Sequence, residues 1–327
     1  MYSVDQLQKL IETEISERSA RMADNSPFEL YHPIQYSLEM GGKRLRPVLT
    51  LLACNLFSDE VEQAVPAAVA IEVFHNFTLL HDDIMDKASV RRNRPTVHLK
   101  FSENSAILSG DAMAFHSYKY LVESQSPRLV EAISLFTQTA IEVCEGQQFD
   151  MDFENRLDVK AEEYLEMIRL KTAVLLAASL KTGAILGDAN EEASSLLYDF
   201  GIQLGLAFQL QDDLLDTFGN QDTFGKKIGG DILSNKKTYL LIKALENAGP
   251  AQKSNLLEWI ERAEFDPEQK ISEVTKIYRE TGVQELAVKM VDTYFSEAMD
   301  ILDKLELPEE RKQPLSELAN KMLTRNK

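Results

Sequence analysis

The amino-acid sequence predicts an all-α protein. Its 327 residues include 14 glycines and 10 prolines, few for a chain of this length. Long stretches place apolar residues three or four positions apart, as amphipathic helices do, and the alternation typical of β-strands is nearly absent. No linker, repeat or low-complexity stretch divides the chain, so we expect a single domain covering residues 1–327.

Turn residues place the individual helices. Gly41-Gly42, Gly187 and Gly249-Pro250 each follow an apolar stretch, where glycine and proline end helices. Pro66 and Pro267 suit the first turn of a helix, where a missing N–H costs little. These signals predict helices near residues 3–22, 34–40, 46–57, 63–86, 102–123, 128–148, 160–186, 191–217, 237–247, 251–262, 267–304 and 308–325.

The overall charge restricts the classes of partner. The chain has 53 acidic and 35 basic residues, a net charge of −18. Nucleic acids and anionic membrane surfaces repel such a chain, and we exclude them as general partners. Cys54 and Cys144 lie far apart and match no metal or disulfide spacing, which predicts reduced core residues.

The sequence further predicts a cytoplasmic protein. The segment from Met1 to Gln6 lacks the basic and apolar regions of a signal peptide. No run of about 18 apolar residues occurs that would span a membrane. We therefore expect no stable membrane insertion.

The stretch from His75 to Asp86 resembles an apolar helix that ends in carboxylates. On a helix, His75, Asp82 and Asp86 share one face with Thr78. Asp82 and Asp86, one turn apart, repel each other by a few tenths of a kcal/mol. A hard divalent cation between their oxygens would offset that repulsion. A solvated acidic helix end is the alternative, and this motif alone leaves both interpretations open.

A second stretch, Gln209 to Asp216, repeats the Asp-Asp-x-x-Asp spacing at the end of another apolar helix. The helix macrodipole disfavours carboxylates at a C-terminus, so both motifs oppose helix physics. Six carboxylates in one site would need counter-ions, and Mg²⁺ accepts carboxylate oxygens, water and phosphate. Together the motifs predict a magnesium site with the candidate ligands Asp82, Asp83, Asp86, Asp212, Asp213 and Asp216.

Basic residues are concentrated in three segments. Residues 41–47 read Gly-Gly-Lys-Arg-Leu-Arg-Pro, and glycine lets the backbone approach an anion that Arg and Lys bind. Residues 87–98 follow the first aspartate motif, and residues 225–238 follow the second. This pattern suits a diphosphate held by metal on one side and by cations on the other. An exposed basic turn is the alternative for residues 41–47, and Lys87 fits a simple helix cap.

In this order the motifs closely resemble those of the trans-isoprenyl diphosphate synthases, or polyprenyl synthetases. They are Gly-Gly-Lys-Arg-x-Arg-Pro, Asp-Asp-x-x-Asp followed by Arg-Arg, Phe-Gln-x-Gln-Asp-Asp-x-x-Asp, Gly-Lys-x-x-Gly-Gly-Asp and Lys-Lys-Thr. The resemblance covers Gly41 to Thr238 and extends more weakly to both ends. It implies a helical bundle of the isoprenoid synthase type with a central cavity, a homodimer, and three Mg²⁺ ions in each active site.

The resemblance also implies roles for individual residues. Isopentenyl diphosphate would be held by Lys43, Arg46, His75 and Arg92. The allylic diphosphate would be held by metal on Asp82, Asp86 and Asp212, with Asp83, Asp213 and Asp216 close by, and by Arg91, Lys171, Thr172, Gln209, Lys226 and Lys236. The choice between Lys226 and Lys227 stays open. Lys181-Thr182 is a second Lys-Thr pair that faces about 80° away on a helix, and we exclude it.

The implied reaction is a Mg²⁺-dependent head-to-tail condensation of isopentenyl diphosphate with an allylic diphosphate. Phe77, five residues before Asp82, resembles the floor of the product pocket in short-chain members. A role in core packing is the alternative, because Phe77 is rotated about 140° from Asp82 on the helix. We expect geranylgeranyl diphosphate (C20) as the product, with farnesyl diphosphate (C15) next.

Two other classes share parts of the pattern. A terpene cyclase also has a first aspartate motif, but it usually lacks the basic segments at residues 41–47 and at Arg91-Arg92. A non-catalytic synthase subunit would lose aspartates, whereas both motifs are complete here. Both alternatives rank below the synthase.

Overall fold

A computed structural model describes residues 1–219 and 228–324 and confirms the all-α prediction. A hairpin pairs β1 (Val90–Arg91) with β2 (Arg94–Pro95), and a 3₁₀ turn covers Val61–Ala64 and a π-helical turn Arg169–Ala173. The helices are α1 (Val4–Ala23), α2 (Phe28–Glu39), α3 (Leu45–Phe57), α4 (Val65–Met85), α5 (Val97–Lys100), α6 (Glu103–Leu121), α7 (Leu129–Glu154), α8 (Ala161–Ile168), α9 (Val174–Leu186), α10 (Glu191–Phe218), α11 (Gly230–Leu233), α12 (Tyr239–Asn247), α13 (Pro250–Glu261), α14 (Pro267–Glu280), α15 (Val283–Asp303) and α16 (Glu309–Leu323).

By its internal packing the chain divides into two compact units. Unit one consists of Met1–Thr137, Ala178–Tyr198 and Glu306–Leu315. Unit two consists of Gln138–Ala177, Asp199–Leu305 and Ser316–Lys327. The single domain and the central cavity expected from the sequence stay predictions.

In unit one, α4 lies against α3 and α6, and α2 lies against α1 and α6. Most α4 side chains are apolar, and Ala67, Ile71 and Phe74 are buried. With the 3₁₀ turn, α4 is long and apolar enough to cross a membrane by length and composition. However, 67% of its most apolar window is buried inside the protein, as in the core helix of a globular protein.

In unit two, a cluster of buried apolar residues joins α8, α10, α12, α13, α14 and α15. Tyr164, Tyr239, Trp259 and Tyr278 are its largest members. α14 begins at a capped end, where Asp266 Oδ1 accepts the Gln269 N–H at 2.8 Å. Such a cap fixes the start of a helix, so the side chains of its first turns have defined directions.

Two expectations about helices and one about a cysteine were wrong. The helix predicted over residues 267–304 is divided into α14 and α15 at Gly282, whose φ of 69° is left-handed and favours glycine. The helix predicted from residue 34 begins at Phe28, and Pro33 lies within it. Cys54 is buried as expected, but Cys144 is exposed because its face of α7 points away from the core.

Candidate active site

In unit one, the first aspartate motif lies at the end of α4. Asp83 is nearly buried, with 4% of its side chain exposed, whereas 19% of Asp82 is exposed. Asp86 is the exposed C-cap residue. Burial raises the pKa of Asp83, and Arg91 only partly opposes this effect. The motif therefore presents Asp82 and Asp86 to solvent and turns Asp83 inward.

The β1–β2 hairpin places the arginines that follow this motif. Arg92 and Asn93 have φ angles of 51° and 59°, the left-handed pair of a two-residue hairpin turn, which asparagine tolerates well. Arg91 Nε donates to Asp83 Oδ2 at 2.8 Å, and its Nη2 lies 3.9 Å from Asp82 Oδ2. The hairpin thus brings a cation directly against the carboxylates.

Arg46 and His75 contact each other beside this cluster. Arg46 Nη1 lies 3.2 Å from His75 Nε2, and because arginine can only donate, His75 accepts. Burial and then the positive charges of Arg46 and Arg92 lower the pKa of His75 well below its ordinary value. Burial lowers the pKa of Arg46 to about 10, and its buried Nε has no hydrogen-bond partner among the described residues. A bound anion would relieve both effects.

The glycine pair ahead of α3 makes room for Arg92. A Cβ on Gly42 would lie 2.7 Å from Arg92 Cζ, so the Arg92 guanidinium would have to shift, and the φ of 132° at Gly42 independently favours glycine. Lys43 is exposed next to it. Burial lowers the pKa of Arg92, and the charges of Arg44 and Arg91 lower it further. Mutual repulsion within such a basic cluster favours an anionic ligand.

One part of this cluster was not predicted. Arg44, with a left-handed φ of 47°, is buried; its Nη1 donates to Glu72 Oε1 at 2.5 Å and its Nη2 to the Leu38 carbonyl at 2.6 Å. Asn76 Nδ2 donates to the same Glu72 carboxylate at 3.1 Å. The pair ties the 41–47 segment to α4. The basic motif contained Arg44, but its sequence did not distinguish this internal bond from the diphosphate contacts that the resemblance implies for Lys43 and Arg46.

In unit two, the π-helical turn holds Lys171 and Thr172. Lys171 Nζ donates to Asp150 Oδ2 at 2.6 Å, and Lys236 Nζ lies 3.9 Å from the same oxygen. Although burial opposes the negative charge, these two cations lower the pKa of Asp150. Gly146 allows α7 to pack closely against the π-helical turn, because a Cβ on Gly146 would overlap the backbone of Lys171. Two predicted diphosphate ligands therefore share one carboxylate.

A chain of hydrogen bonds connects the polar side chains of the second motif. Thr172 Oγ1 donates to Gln209 Oε1 at 3.1 Å, and Gln209 Nε2 donates to Asp213 Oδ1 at 3.0 Å. Tyr164, which the sequence did not single out within its amphipathic helix, donates to Asp213 Oδ2. Burial, then Asp231, raises the pKa of Asp213. Asp213 is thus buried within the protein.

The remaining aspartates of the second motif differ in their surroundings. Asp212 is half-exposed, whereas Asp216 Oδ2 accepts the Asp231 N–H at 2.9 Å.

Lys226 and Lys227 lie outside the described residues. Lys181, the excluded lysine, lies in unit one and donates to Glu191 Oε1 at 3.2 Å.

Phe77 is half-buried on α4 among aromatic rings. Its ring centroid is 5.4 Å from that of Phe74 and 4.9 Å from that of His81. His81 Nε2 lies 3.1 Å from the Ile107 carbonyl, and a Cβ on Gly110 would overlap the His81 ring. The Phe77 ring is therefore held from both sides along α4, which is compatible with either a packing role or a pocket floor.

The carboxylates have the chemistry that magnesium requires. Asp82, Asp86 and Asp212 offer hard oxygen donors that solvent reaches. Among residues 1–219 and 228–324, no three His, Cys, Asp or Glu side chains cluster closely enough to hold a metal by themselves. Magnesium keeps several waters and substrate phosphates in its coordination sphere, so a small number of protein carboxylates fits it.

Comparison with known proteins identifies the family. A polyprenyl synthetase family model matches residues 27–281. The geranylgeranyl diphosphate synthase of Methanosarcina mazei is 38% identical over 302 residues, 91% of this chain and 90% of that protein. The geranylfarnesyl diphosphate synthase of Natronomonas pharaonis is 41% identical over 261 residues, 72% of this chain and 76% of that protein.

The fold agrees with these sequence relatives. A crystal structure described as geranylgeranyl pyrophosphate synthase matches with a TM-score of 0.91 and 40% identity, over 100% of both chains. The expected isoprenoid synthase fold and the expected resemblance are both confirmed. The chain belongs to the polyprenyl synthetase family and is a prenyltransferase.

Proposed function

We propose that this protein condenses isopentenyl diphosphate with an allylic diphosphate, in a head-to-tail reaction that requires Mg²⁺ and yields mainly geranylgeranyl diphosphate. The observation that supports it most is the basic cluster of unit one, in which Arg46, Arg91 and Arg92 surround His75 and the first aspartate motif. So many cations, close together in a chain of charge −18, favour a polyanionic ligand.

Isopentenyl diphosphate is assigned to the part of this cluster nearest Gly42. Arg46 and Arg92 provide planar guanidinium groups that match phosphate oxygens, and Lys43 adds an exposed point charge. His75 has Nε2 turned to Arg46 and orients that guanidinium. The buried, unpaired Nε of Arg46 gives direct support, because an anion would satisfy it.

The allylic diphosphate is assigned to Arg91, Lys171, Lys226 and Lys236 and to magnesium ions on Asp82, Asp86 and Asp212. When bound, these ions, three by the family resemblance, stabilise the negative charge that develops on the departing diphosphate. Asp83, Asp213 and Asp216 are assigned indirect roles, since each bonds a protein donor that keeps its neighbours in place.

The chain's own groups then direct the reaction. Thr172 and Gln209 offer oxygen dipoles to the allylic cation that forms when the C1–O bond breaks. The C3–C4 double bond of isopentenyl diphosphate attacks that carbon, and a proton is lost from C2. In the family the departing diphosphate generally takes this proton, so the reaction needs no protein base.

The C20 product is supported by relatives and by Phe77, but not uniquely. Archaeal relatives at 37–43% identity include several geranylgeranyl diphosphate synthases, and the Natronomonas protein is named for a C25 product. A farnesyl diphosphate synthase is the second candidate. A terpene cyclase or a non-catalytic subunit is disfavoured by the complete aspartate motifs and the intact basic cluster.

We also propose a homodimer. On α6, Leu108 and Phe115 are 61% and 75% exposed, and Val122, at the C-cap, is 52% exposed. Their spacing of seven residues places them on one face of the helix. A row of large exposed apolar side chains is typical of a protein–protein interface. The cytoplasmic location stays a prediction.

A product assay tests the function. The protein is incubated with labelled isopentenyl diphosphate and dimethylallyl, geranyl or farnesyl diphosphate, with Mg²⁺ or with EDTA, and the products are sized. We expect elongation only with Mg²⁺ and C20 as the main end product. Failure to elongate any primer would overturn the proposal.

A matched pair of variants on α10 tests the metal assignment. Asp212→Asn should lower turnover by roughly 10²–10³-fold, as expected for a lost electrostatic contact to the departing group. Asp199→Asn, an exposed residue of the same helix, should have no effect. Equal turnover of both variants would remove Asp212 from the metal site.

A further inference from the structure

Lys270 is a buried lysine of unit two that the proposed reaction does not use. It lies in the first turns of α14, and only 1% of it is exposed. Its Nζ donates to Asn235 Oδ1 at 2.7 Å and lies 4.1 Å from the centroid of the Phe265 ring. Within residues 1–219 and 228–324, no carboxylate forms an ion pair with it. Burying a charge without a counter-charge is costly, so the ammonium depends on its hydrogen bond to Asn235 and on the Phe265 ring for compensation.

Asn235 is the turn residue at the end of the segment that follows the second aspartate motif. Its φ of 54° is left-handed, a conformation that asparagine adopts more readily than most residues. Its Nδ2 donates to the Ile260 carbonyl at 3.1 Å, and its own carbonyl accepts from Lys237 Nζ at 3.0 Å. The amide side chain is thus held on both sides, by α13 and by Lys270.

The turn at Asn235 fixes the position of the Lys236 backbone, from which the Lys236 side chain extends. The Lys236 N–H donates to the Asp231 carbonyl at 2.9 Å, and the Asp231 N–H donates to Asp216 Oδ2 at 2.9 Å. At the other end of this segment, Gly229 lies under Ile271, the neighbour of Lys270; a Cβ on Gly229 would be 2.6 Å from Ile271 Cγ1. The start of α14 therefore supports both ends of residues 229–235.

We propose that Lys270 is a positioning residue for the diphosphate-binding lysine Lys236. Through Asn235, its ammonium group fixes the left-handed turn from which Lys236 extends toward Asp150. This inference rests on the proposed function for its kinetic consequence, but its structural part concerns the substrate-free protein. An α14 side chain without substrate contact thereby controls the allylic half of the reaction.

The first test makes the same substitution, lysine to methionine, at two positions of α14. Lys270→Met removes the ammonium and keeps an unbranched side chain one atom shorter, and Lys276→Met makes the same change at an exposed lysine of α14. We expect Lys270→Met to lower kcat/KM for the allylic diphosphate about tenfold, with KM for isopentenyl diphosphate changed less than twofold. Lys276→Met should match the wild type. An equal loss for both substrates would reduce Lys270 to a structural residue and overturn the inference.

Asn235 variants test the route of the effect. Asn235→Gly keeps the left-handed turn but removes the amide, and it should reproduce Lys270→Met; the double variant should be no worse than either single variant. Asn235→Asp keeps an oxygen for Lys270 and loses the donor to Ile260, so it should retain activity within about threefold. If the two single losses multiply in the double variant, the proposed route is wrong.

Hydrogen exchange separates this inference from the function itself. In substrate-free protein, the backbone amides of Ser234 and Lys236 should exchange at least tenfold faster in Lys270→Met than in Lys276→Met. Unchanged exchange would overturn the positioning role whatever the activity. If the wild type elongates no primer but exchange responds as expected, the proposed function fails and the positioning role stands.

Discussion

Phe77 is a predicted floor residue of the product pocket and supports the proposed product length together with the relatives. Its ring lies between Phe74 and His81, and Phe74 in turn contacts Phe136 at 5.1 Å between centroids. Removing the Phe77 ring therefore opens space in an aromatic cluster of unit one. The floor and packing interpretations differ in their consequence, because only a pocket floor changes the product.

We expect Phe77→Ala to extend the product beyond C20, since a growing chain would occupy the space of the missing ring. The chain lengths are measured with farnesyl diphosphate as primer. Phe28→Ala, a half-exposed phenylalanine of α2, is the control and should leave the products unchanged. An unaltered product profile in Phe77→Ala would assign that ring to core packing.

His75, in the basic cluster, should make the stability of the folded protein depend on pH. Its pKa in the folded protein is well below the ordinary value, so between pH 7 and 5 the unfolded chain binds a proton that the folded protein does not. Stability from this group is therefore present above about pH 6.5 and is lost as the pH falls.

His75→Gln should flatten that dependence. The free energy of unfolding, measured in urea at pH 7, 6 and 5, should fall less steeply in the variant than in the wild type. Identical slopes would mean that the His75 pKa is the same in both states, in conflict with its burial against Arg46.

At the scale of elements, hydrophobic periodicity predicted most helices but not the contacts between residues that lie far apart in the sequence. Most helices were predicted because long amphipathic stretches identify them. The interruption at Gly282 was missed because periodicity continues across one left-handed residue. The bond between Arg44 and Glu72 joins residues 28 positions apart, and no spacing rule indicates such a pair. The Gly42–Arg92 approach was missed for the same reason, although Gly42 belongs to the basic motif and Arg92 was a predicted diphosphate ligand.

The contact of α7 with the π-helical turn gives a prediction about an element. Gly146→Ala should displace this turn, lower stability by about 1–3 kcal/mol as overpacking does, and reduce activity through Lys171 and Thr172. Gly249→Ala is the control: its Cβ would meet Gln252 Oε1 at an ordinary 3.7 Å. Both variants are compared by thermal unfolding and turnover; matching results would mean that α7 absorbs the methyl group.

At the scale of the whole molecule, two surface features have separate proposed roles. The charge distribution favours an anionic ligand, and the apolar row of α6 favours a dimer. In a chain with a net charge of −18, the sequence concentrated basic residues in three segments, and the structure places Arg46, Arg91 and Arg92 of two of these segments near His75. The sequence could not show that Leu108 and Phe115 are exposed, because an apolar residue at helical spacing is more often core.

Phe115→Glu should convert the proposed dimer to a monomer, because a carboxylate cannot be buried against an apolar partner surface. Sedimentation should give twice the chain mass of 37.0 kDa for the wild type and the single mass for the variant. Val288→Glu, an exposed residue of α15, is the control. A wild-type monomer would contradict the homodimer directly.

The π-helical turn at Arg169–Ala173 makes this part of the chain sensitive to the deletion of a residue. Such turns arise when one residue is inserted into an α-helix, and each residue advances an α-helix by about 100°. Deleting one residue there would restore regular winding and rotate everything after Val174 relative to Lys171. No substitution reproduces that rotation. The fold of this segment should therefore tolerate a substitution at Arg169 or Leu170 better than the deletion of one residue, which would also move Lys171 and Thr172.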